Sequence, residues 1–234
     1  MERKSLRAAV ILLIVLLTFA VLGSSCSKGE TRGLPEETDT DNNEKVREDE
    51  NDRNHVTVLP ENREPYYLVV NCTTNTVTIY AEDSNGEYTV PLTSMLCSSG
   101  LDEEDMSTPK GEYALTGNRW EWLKMIDGTY GIYVTQFFGD YLFHSVPYTE
   151  YGYHGSLKPG EFDKLGSDAS HGCIRLCIRD AKWIYDNMEN ITGVNIMDSE
   201  NPGPLGKPAG QKIGDSPYPE WDPTDAHADN PWNR

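Results

Sequence analysis

The chain has 234 residues and carries 38 acidic against 20 basic side chains, which gives a formal net charge of −18. Nucleic-acid binding depends on clustered Lys and Arg side chains that release counterions from phosphates, and the sequence has no such cluster beyond its N-terminus. We therefore expect no nucleic-acid partner. The stretch rich in large apolar residues runs over about 130 positions, which suits a single hydrophobic core.

Residues 1–26 have the pattern of an export signal or a membrane anchor. Three basic residues within the first seven precede an apolar run, Ala8 to Leu22. This run is short for a spanning helix, which needs about 20 residues, and long for a signal peptide. Cys26 after small residues offers the alternative of a lipidated bacterial lipoprotein, and cleavage with secretion is a third option. The positive-inside rule predicts that the rest of the chain lies outside the cytoplasm. An uncleaved anchor or a lipidated Cys26 would attach it to the bacterial membrane.

Residues 27–64 are rich in Asp, Glu, Asn, Thr and Arg and contain few large apolar residues. Such a segment buries too little apolar surface to offset the entropy of ordering, which predicts a disordered acidic tether. A binding arm for a basic partner is the alternative. Self-repulsion would extend the tether away from a membrane.

Residues 65–198 are predicted to form the folded domain. Period-two alternation at 76–80 and apolar runs bounded by turn residues indicate strands. Asp83-Ser84-Asn85-Gly86 supplies a turn between two of them. Strands are expected over 66–70, 76–80, 88–92, 112–115, 131–137, 141–144 and 194–197. Their prevalence predicts a mainly β, mostly antiparallel domain.

The segment Ser170-His171-Gly172-Cys173 carries the chemistry. A thiolate is the reactive form of cysteine, and a nearby imidazole can lower the thiol pKa and hold the pair as thiolate and imidazolium. Gly172 has no Cβ and lets backbone amides approach a substrate. The competing interpretation is a turn with an inert, buried cysteine.

The residues after this segment predict one helix and then a tail. Asp180 is expected to cap a helix whose Ala181, Ile184, Tyr185 and Met188 share one face, with Trp183 partly exposed beside it. Residues 199–234 repeat Pro and Gly, which predicts a disordered tail. Its tryptophans offer the alternative of stacking on sugars or docking in a partner.

Several separated motifs resemble the L,D-transpeptidase catalytic domain, the YkuD-type family. They are Thr108-Pro109-Lys110-Gly111-Glu112-Tyr113, Tyr141-Leu142-Phe143-His144-Ser145-Val146-Pro147, and Leu165 to Ala169 leading into Ser170-His171-Gly172-Cys173-Ile174-Arg175-Leu176. The resemblance spans about residues 65–198 and is specific, because the motifs follow the family's order. It implies a β-sandwich or barrel-like fold with one prominent helix after the active-site motif.

The resemblance implies the catalytic roles. Cys173 is the nucleophile and His144 the general base, with the Ser145 carbonyl fixing the imidazole tautomer. His171 supports the loop or the oxyanion region. The amides of Gly172 and Cys173 form the oxyanion hole.

Further site residues complete the prediction. His154 is the alternative base, since it lies at nearly the family's usual separation from Ser170. Ser170, Tyr153 and His154 are expected to contact substrate. Arg175 contacts a substrate carboxylate or forms a structural salt bridge.

The resemblance implies that the substrates are peptidoglycan stem peptides, linked 3→3 through an acyl-enzyme, with no cofactor and no metal. Water as acceptor would make the protein an L,D-carboxypeptidase, and carbapenems are expected to inhibit it. Rival classes are a zinc site of His144, His154, His171 and Cys173, a cysteine peptidase, and a non-catalytic wall-binding module. Cys72 and Cys97 are candidates for a disulfide, whereas Cys177 is expected to be a packed residue.

Overall fold

A computed structural model describes residues 63–103 and 105–234. The leader and almost all of the acidic tether therefore lie outside the described residues. In the described part no helix has the length and apolar character needed to cross a membrane.

The domain is built on one nine-stranded sheet with the strand order β4-β9-β1-β2-β3-β8-β7-β6-β5. The strands are β1 Tyr66–Asn71, β2 Thr76–Ala81, β3 Val90–Ser98, β4 Gly111–Tyr113, β5 Arg119–Lys124, β6 Tyr130–Phe138, β7 Tyr141–Ser145, β8 Ile174–Leu176 and β9 Ile191–Met197. The α-helices are α1 Pro159–Phe162 and α2 Ile178–Asp186, and short 3₁₀ turns cover His154–Ser156, Met188–Asn190 and Pro231–Asn233. The predicted mainly β fold with one prominent helix is confirmed.

The alternating and apolar segments form strands close to where the sequence predicts them. β1 pairs antiparallel with β2, and β2 with β3, so that the first three strands form a meander. Strands β5 and β8 were not predicted from the sequence. β5 lies at the sheet edge with most of its side chains exposed or half-exposed, and so lacks the apolar face by which strands are recognised.

Helix α2 differs from the prediction in three details, the first being that it ends at Asp186 and Met188 lies in the 3₁₀ turn that follows. Cys177 occupies the N-cap position, so that Asp180 lies within the first turn and does not cap the helix. Trp183 is 7% exposed and packs edge-on against Tyr66, with ring centroids 5.0 Å apart. The wider buried face arises because the helix packs against β6, β7 and β8.

The C-terminal segment, residues 199–234, packs on the domain, which corrects the prediction of a disordered tail. Ile213 is fully buried, and its amide donates to Asp163 Oδ1 at 2.7 Å. Asp222 is also fully buried and accepts from the Ile178 amide at 2.7 Å, at the start of α2. Pro and Gly prevent regular structure but leave the chain free to bury side chains against a preformed surface. The folded unit thus extends beyond residue 198.

The sheet topology places the motif next to the histidine strand. β7 and β8 are parallel neighbours, and His144 lies opposite Arg175 in their register. Residues directly opposite each other on neighbouring strands project to the same face, so Arg175 lies on the His144 side of the sheet, and Cys173 directly precedes β8. The two strands therefore bring the loop that carries Cys173 next to the strand that carries His144.

Candidate active site

The loop that precedes β8 requires glycine at position 172. Gly172 has φ of +105°, and a Cβ there would lie 2.4 Å from Cε1 of Tyr141. An L side chain would meet both backbone strain and a collision. Tyr141 therefore packs where a side chain would otherwise stand, and Cys173 remains partly exposed beside it.

Ser170 closes the loop by hydrogen bonds within the motif. Its hydroxyl donates to the Cys173 carbonyl at 2.6 Å and accepts from the Gly172 amide at 3.0 Å. The assignment of the Gly172 amide to an oxyanion hole is therefore corrected, because that donor is already used. Ser170 is 1% exposed and acts as a loop closure, not as the substrate contact that the sequence predicted. In the described part of the chain, the Cys173 amide donates to no loop or turn acceptor.

His144 is 3% exposed, and its Nδ1 lies 2.6 Å from the Ser145 carbonyl oxygen. A carbonyl oxygen only accepts, so Nδ1 carries the proton and the Nε2 lone pair is left to act as a base. Burial, and next the nearby positive charge of Arg175, lower the pKa of His144 to about 4. The imidazole is therefore neutral at physiological pH.

The Ser145 side chain holds this strand in place. Its hydroxyl accepts from the Ile132 amide at 2.9 Å and donates to the Val146 carbonyl at 2.9 Å. The contact between His144 and the carbonyl of Ser145 is the one predicted from the sequence. The hydroxyl's links to β6 and to the end of β7 were not predicted.

The Cys173 thiol rests in its neutral, protonated form. Burial raises the pKa of the Cys173 thiol, and a hydrogen bond with the backbone of Leu142 and the charge of Arg175 offset part of the rise. Its Sγ lies 3.8 Å from the Asp140 carbonyl oxygen. Within the described residues it has no hydrogen bond to His144. The expected thiolate–imidazolium pair is therefore not the resting state, because burial favours the neutral form of both groups.

Arg175 forms a buried ion pair. Nη1 lies 2.6 Å from Glu161 Oε2 and donates to the Ala169 carbonyl at 2.8 Å, and the residue is 6% exposed. Of the two predicted roles, the structure shows the salt bridge. Arg175 thus ties α1 and the start of the motif to β8 and places its charge near both His144 and Cys173.

The remaining predicted site residues contact the C-terminal segment, as Tyr153 and His154 do, or are exposed, as His171 is. His154 Nδ1 lies 2.6 Å from Asp225 Oδ2, and its ring stacks on His227 with centroids 4.4 Å apart. Tyr153 is 50% exposed and meets Trp221 edge-on. These contacts attach the 153–156 region to the C-terminal segment, which the sequence analysis had predicted to be disordered. His171 is exposed in the motif loop.

Two residues of the site had no predicted role. The Thr108 hydroxyl donates to the Gly172 carbonyl at 3.0 Å, and Tyr141 packs on Gly172. Both belong to motifs that carry the family resemblance. The motifs mark these residues, but they do not show that the residues contact Gly172.

The sequence also raised two expectations about histidine and cysteine side chains, namely a rival zinc site and a disulfide between Cys72 and Cys97. In the ranges 63–103 and 105–234, no three His, Cys, Asp or Glu side chains are grouped so that they could hold a metal ion. Cys72, Cys97, Cys173 and Cys177 are free thiols. Cys177 is buried, as expected for a packed residue.

The family model described as the L,D-transpeptidase catalytic domain matches residues 65–196. The chain is 42% identical over 119 residues to the Bacillus subtilis (strain 168) protein named "Putative L,D-transpeptidase YciB", covering 49% of this chain and 57% of that protein. The chain thus spans little more than half the length of this relative.

Two solved structures are among those to which the chain is similar. An L,D-transpeptidase from Mycobacterium smegmatis is 18% identical, with a TM-score of 0.43 and coverage of 57% of this chain and 58% of that one. L,D-transpeptidase 3 from Mycobacterium tuberculosis, in complex with a faropenem-derived adduct, is 19% identical, with a TM-score of 0.39 and coverage of 58% and 61%.

Proposed function

Since the chain belongs to the L,D-transpeptidase catalytic-domain family, we propose that it is a peptidoglycan L,D-transpeptidase with Cys173 as its nucleophile. The observation that carries the proposal is the neutral His144, whose Nδ1 is fixed by the Ser145 carbonyl on the strand that pairs with β8, directly after Cys173. A thiol needs a base at the moment of attack, and a histidine that stays neutral well below pH 7 can serve as one.

The first half-reaction forms a thioester. Cys173 Sγ attacks the carbonyl between the third residue and the D-Ala of a stem tetrapeptide while His144 Nε2 takes the thiol proton. The oxyanion of the tetrahedral intermediate accepts a hydrogen bond from the Cys173 amide. When the C–N bond breaks, the same proton passes to the leaving nitrogen and D-Ala departs.

The second half-reaction regenerates the thiol. The side-chain amine of another stem attacks the thioester and forms a 3→3 cross-link, and its proton returns to Cys173 through His144. Water in place of the amine would make the protein an L,D-carboxypeptidase. The alternative outside catalysis is a wall-binding module. A neutral His144 on the strand beside the Cys173 loop favours catalysis over it.

The proposal extends to inhibition and to location. A strained β-lactam carbonyl is an acyl donor that the Cys173 thiol can open, so we expect a covalent carbapenem adduct. Residues 1–26 would hold the domain outside the cytoplasm at the bacterial membrane, as an anchor or through lipidated Cys26.

Mass spectrometry with imipenem tests the nucleophile. We expect wild-type protein to gain one adduct, and Cys173→Ala to gain none. Cys177→Ala, which alters a buried thiol nearby in the chain, is the matched control and should react like wild type. An adduct on Cys173→Ala would contradict the assignment.

A further inference from the structure

Three separate stretches of chain meet at the hydroxyl of Thr108. It donates to the Gly172 carbonyl at 3.0 Å and accepts from the Gly100 amide at 2.9 Å. Thr108 is 2% exposed, so no solvent replaces either hydrogen bond. A buried hydroxyl that satisfies one donor and one acceptor on different segments fixes their relative positions.

The same place has an unusually close backbone approach. A Cβ on Gly100 would lie 2.1 Å from the Met106 carbonyl oxygen and 2.9 Å from Gly172 Cα. The Leu101 amide also donates to the Ser170 carbonyl at 3.1 Å. Gly100, Leu101 and Thr108 therefore support one side of the motif loop.

The orientation of the Gly172 carbonyl determines where the Cys173 amide points. Both groups belong to one planar trans peptide, in which C=O and N–H point in opposite directions. Holding the oxygen of Gly172 inward, on the buried Thr108, therefore directs the N–H of Cys173 away from Thr108. Glycine rotates freely, so this peptide would flip at little cost without a clamp.

The hydrogen bonds of Ser170 do not restrain the Gly172–Cys173 peptide, which is held by Thr108. Ser170 holds the Gly172 amide and the Cys173 carbonyl, which belong to the two flanking peptides. The peptide between them is restrained at its carbonyl by Thr108. Each of the three consecutive peptides is thus held by a side-chain hydroxyl, the outer two by Ser170 and the middle one by Thr108.

We propose that Thr108 is a positioning residue that holds the Gly172–Cys173 peptide in the orientation that presents the Cys173 N–H to the reaction's oxyanion. This inference rests on the proposed acyl-transfer function. Thr108 itself touches no reacting atom, and it acts through the carbonyl of Gly172.

The test compares two reactions of the same thiol in the full-length chain, purified in detergent. Alkylation by iodoacetamide transfers carbon to Sγ without an oxyanion. Acylation by imipenem forms an Sγ–C bond, breaks the lactam C–N bond and passes through an oxyanion. A residue that positions the oxyanion donor alters the second rate and not the first.

Thr108→Val keeps the shape and removes the hydroxyl, whereas Thr108→Ser keeps the hydroxyl. We expect Thr108→Val to slow acylation about 10- to 100-fold, as misplacement of such a donor does, and to leave alkylation within about twofold. Thr108→Ser should acylate within about threefold of wild type. Ser94→Ala, which removes another hydroxyl bond to a carbonyl, that of Gly206, is the control for general loss of stability.

Equal losses of both rates in Thr108→Val, or unchanged acylation, would overturn the inference while the proposed function stands. If Thr108→Val does not fold, Thr108→Ala replaces it with the same two rates and the same expected ratio. Failure of wild-type protein to acylate at all would instead contradict the proposed function and, with it, this inference.

Discussion

The pKa of His144 gives a sharp prediction for the pH dependence of acylation. His144 must be neutral to accept the thiol proton, and its pKa is lowered to about 4. At pH 5 the neutral fraction is then about 90%, whereas an ordinary histidine with a pKa of about 6.5 would be about 3% neutral. The two cases differ about 30-fold in rate at that pH.

The assay is the second-order rate constant for acylation by imipenem between pH 3.5 and pH 8, with circular dichroism at each pH to confirm that the protein is folded. We expect the acid limb to have its midpoint near pH 4. Because the charge of Arg175 contributes to the shift, Arg175→Gln should move the limb to higher pH and Arg175→Lys should not. A midpoint near 6.5 in folded wild-type protein would refute the neutral-base reasoning.

Two further predictions concern packing. Gly172→Ala should lower the free energy of unfolding by about 2–5 kcal/mol, since backbone strain at positive φ adds to the collision with Tyr141, and urea denaturation showing a loss below about 0.5 kcal/mol would contradict this. Ile213→Ala should cost about 2–4 kcal/mol because Ile213 is fully buried, whereas Leu205→Ala, at a residue 48% exposed in the same C-terminal segment, should cost under about 0.5 kcal/mol. Equal, small losses in both variants would mean that the segment does not pack on the domain.

The sequence was sufficient for features that depend on local pattern. Period-two alternation predicted β2, and the histidine strand was correctly placed as β7. The contact of His144 with the Ser145 carbonyl links adjacent residues, so a short motif carries it.

Long-range partnerships could not be predicted in the same way. Thr108 and Gly172 lie 64 positions apart, and only the fold brings the hydroxyl to the carbonyl. The Gly172 amide was expected to face a substrate because the sequence does not show how the Ser170 side chain is turned. Burial of Trp183 depends likewise on which strands surround α2.

The C-terminal segment shows the limit of composition as a guide. Pro, Gly and polar residues predict disorder when a segment must build its own core. Here the segment adds to an existing domain, and Asp222 and Ile213 provide its buried contacts. The same segment holds His154 through Asp225, which leaves His144 as the histidine beside the motif strand.

The most direct test of the central claim is mass spectrometry of disaccharide-tetrapeptide incubated with the full-length chain. Wild type is compared with Cys173→Ala, His144→Ala and His154→Ala. We expect D-Ala release with 3→3 linked dimers, lost in Cys173→Ala and His144→Ala and kept in His154→Ala. Dimers formed by Cys173→Ala would contradict the assignment of the nucleophile. Dimers lost in a folded His154→Ala and kept in His144→Ala would contradict the assignment of the base.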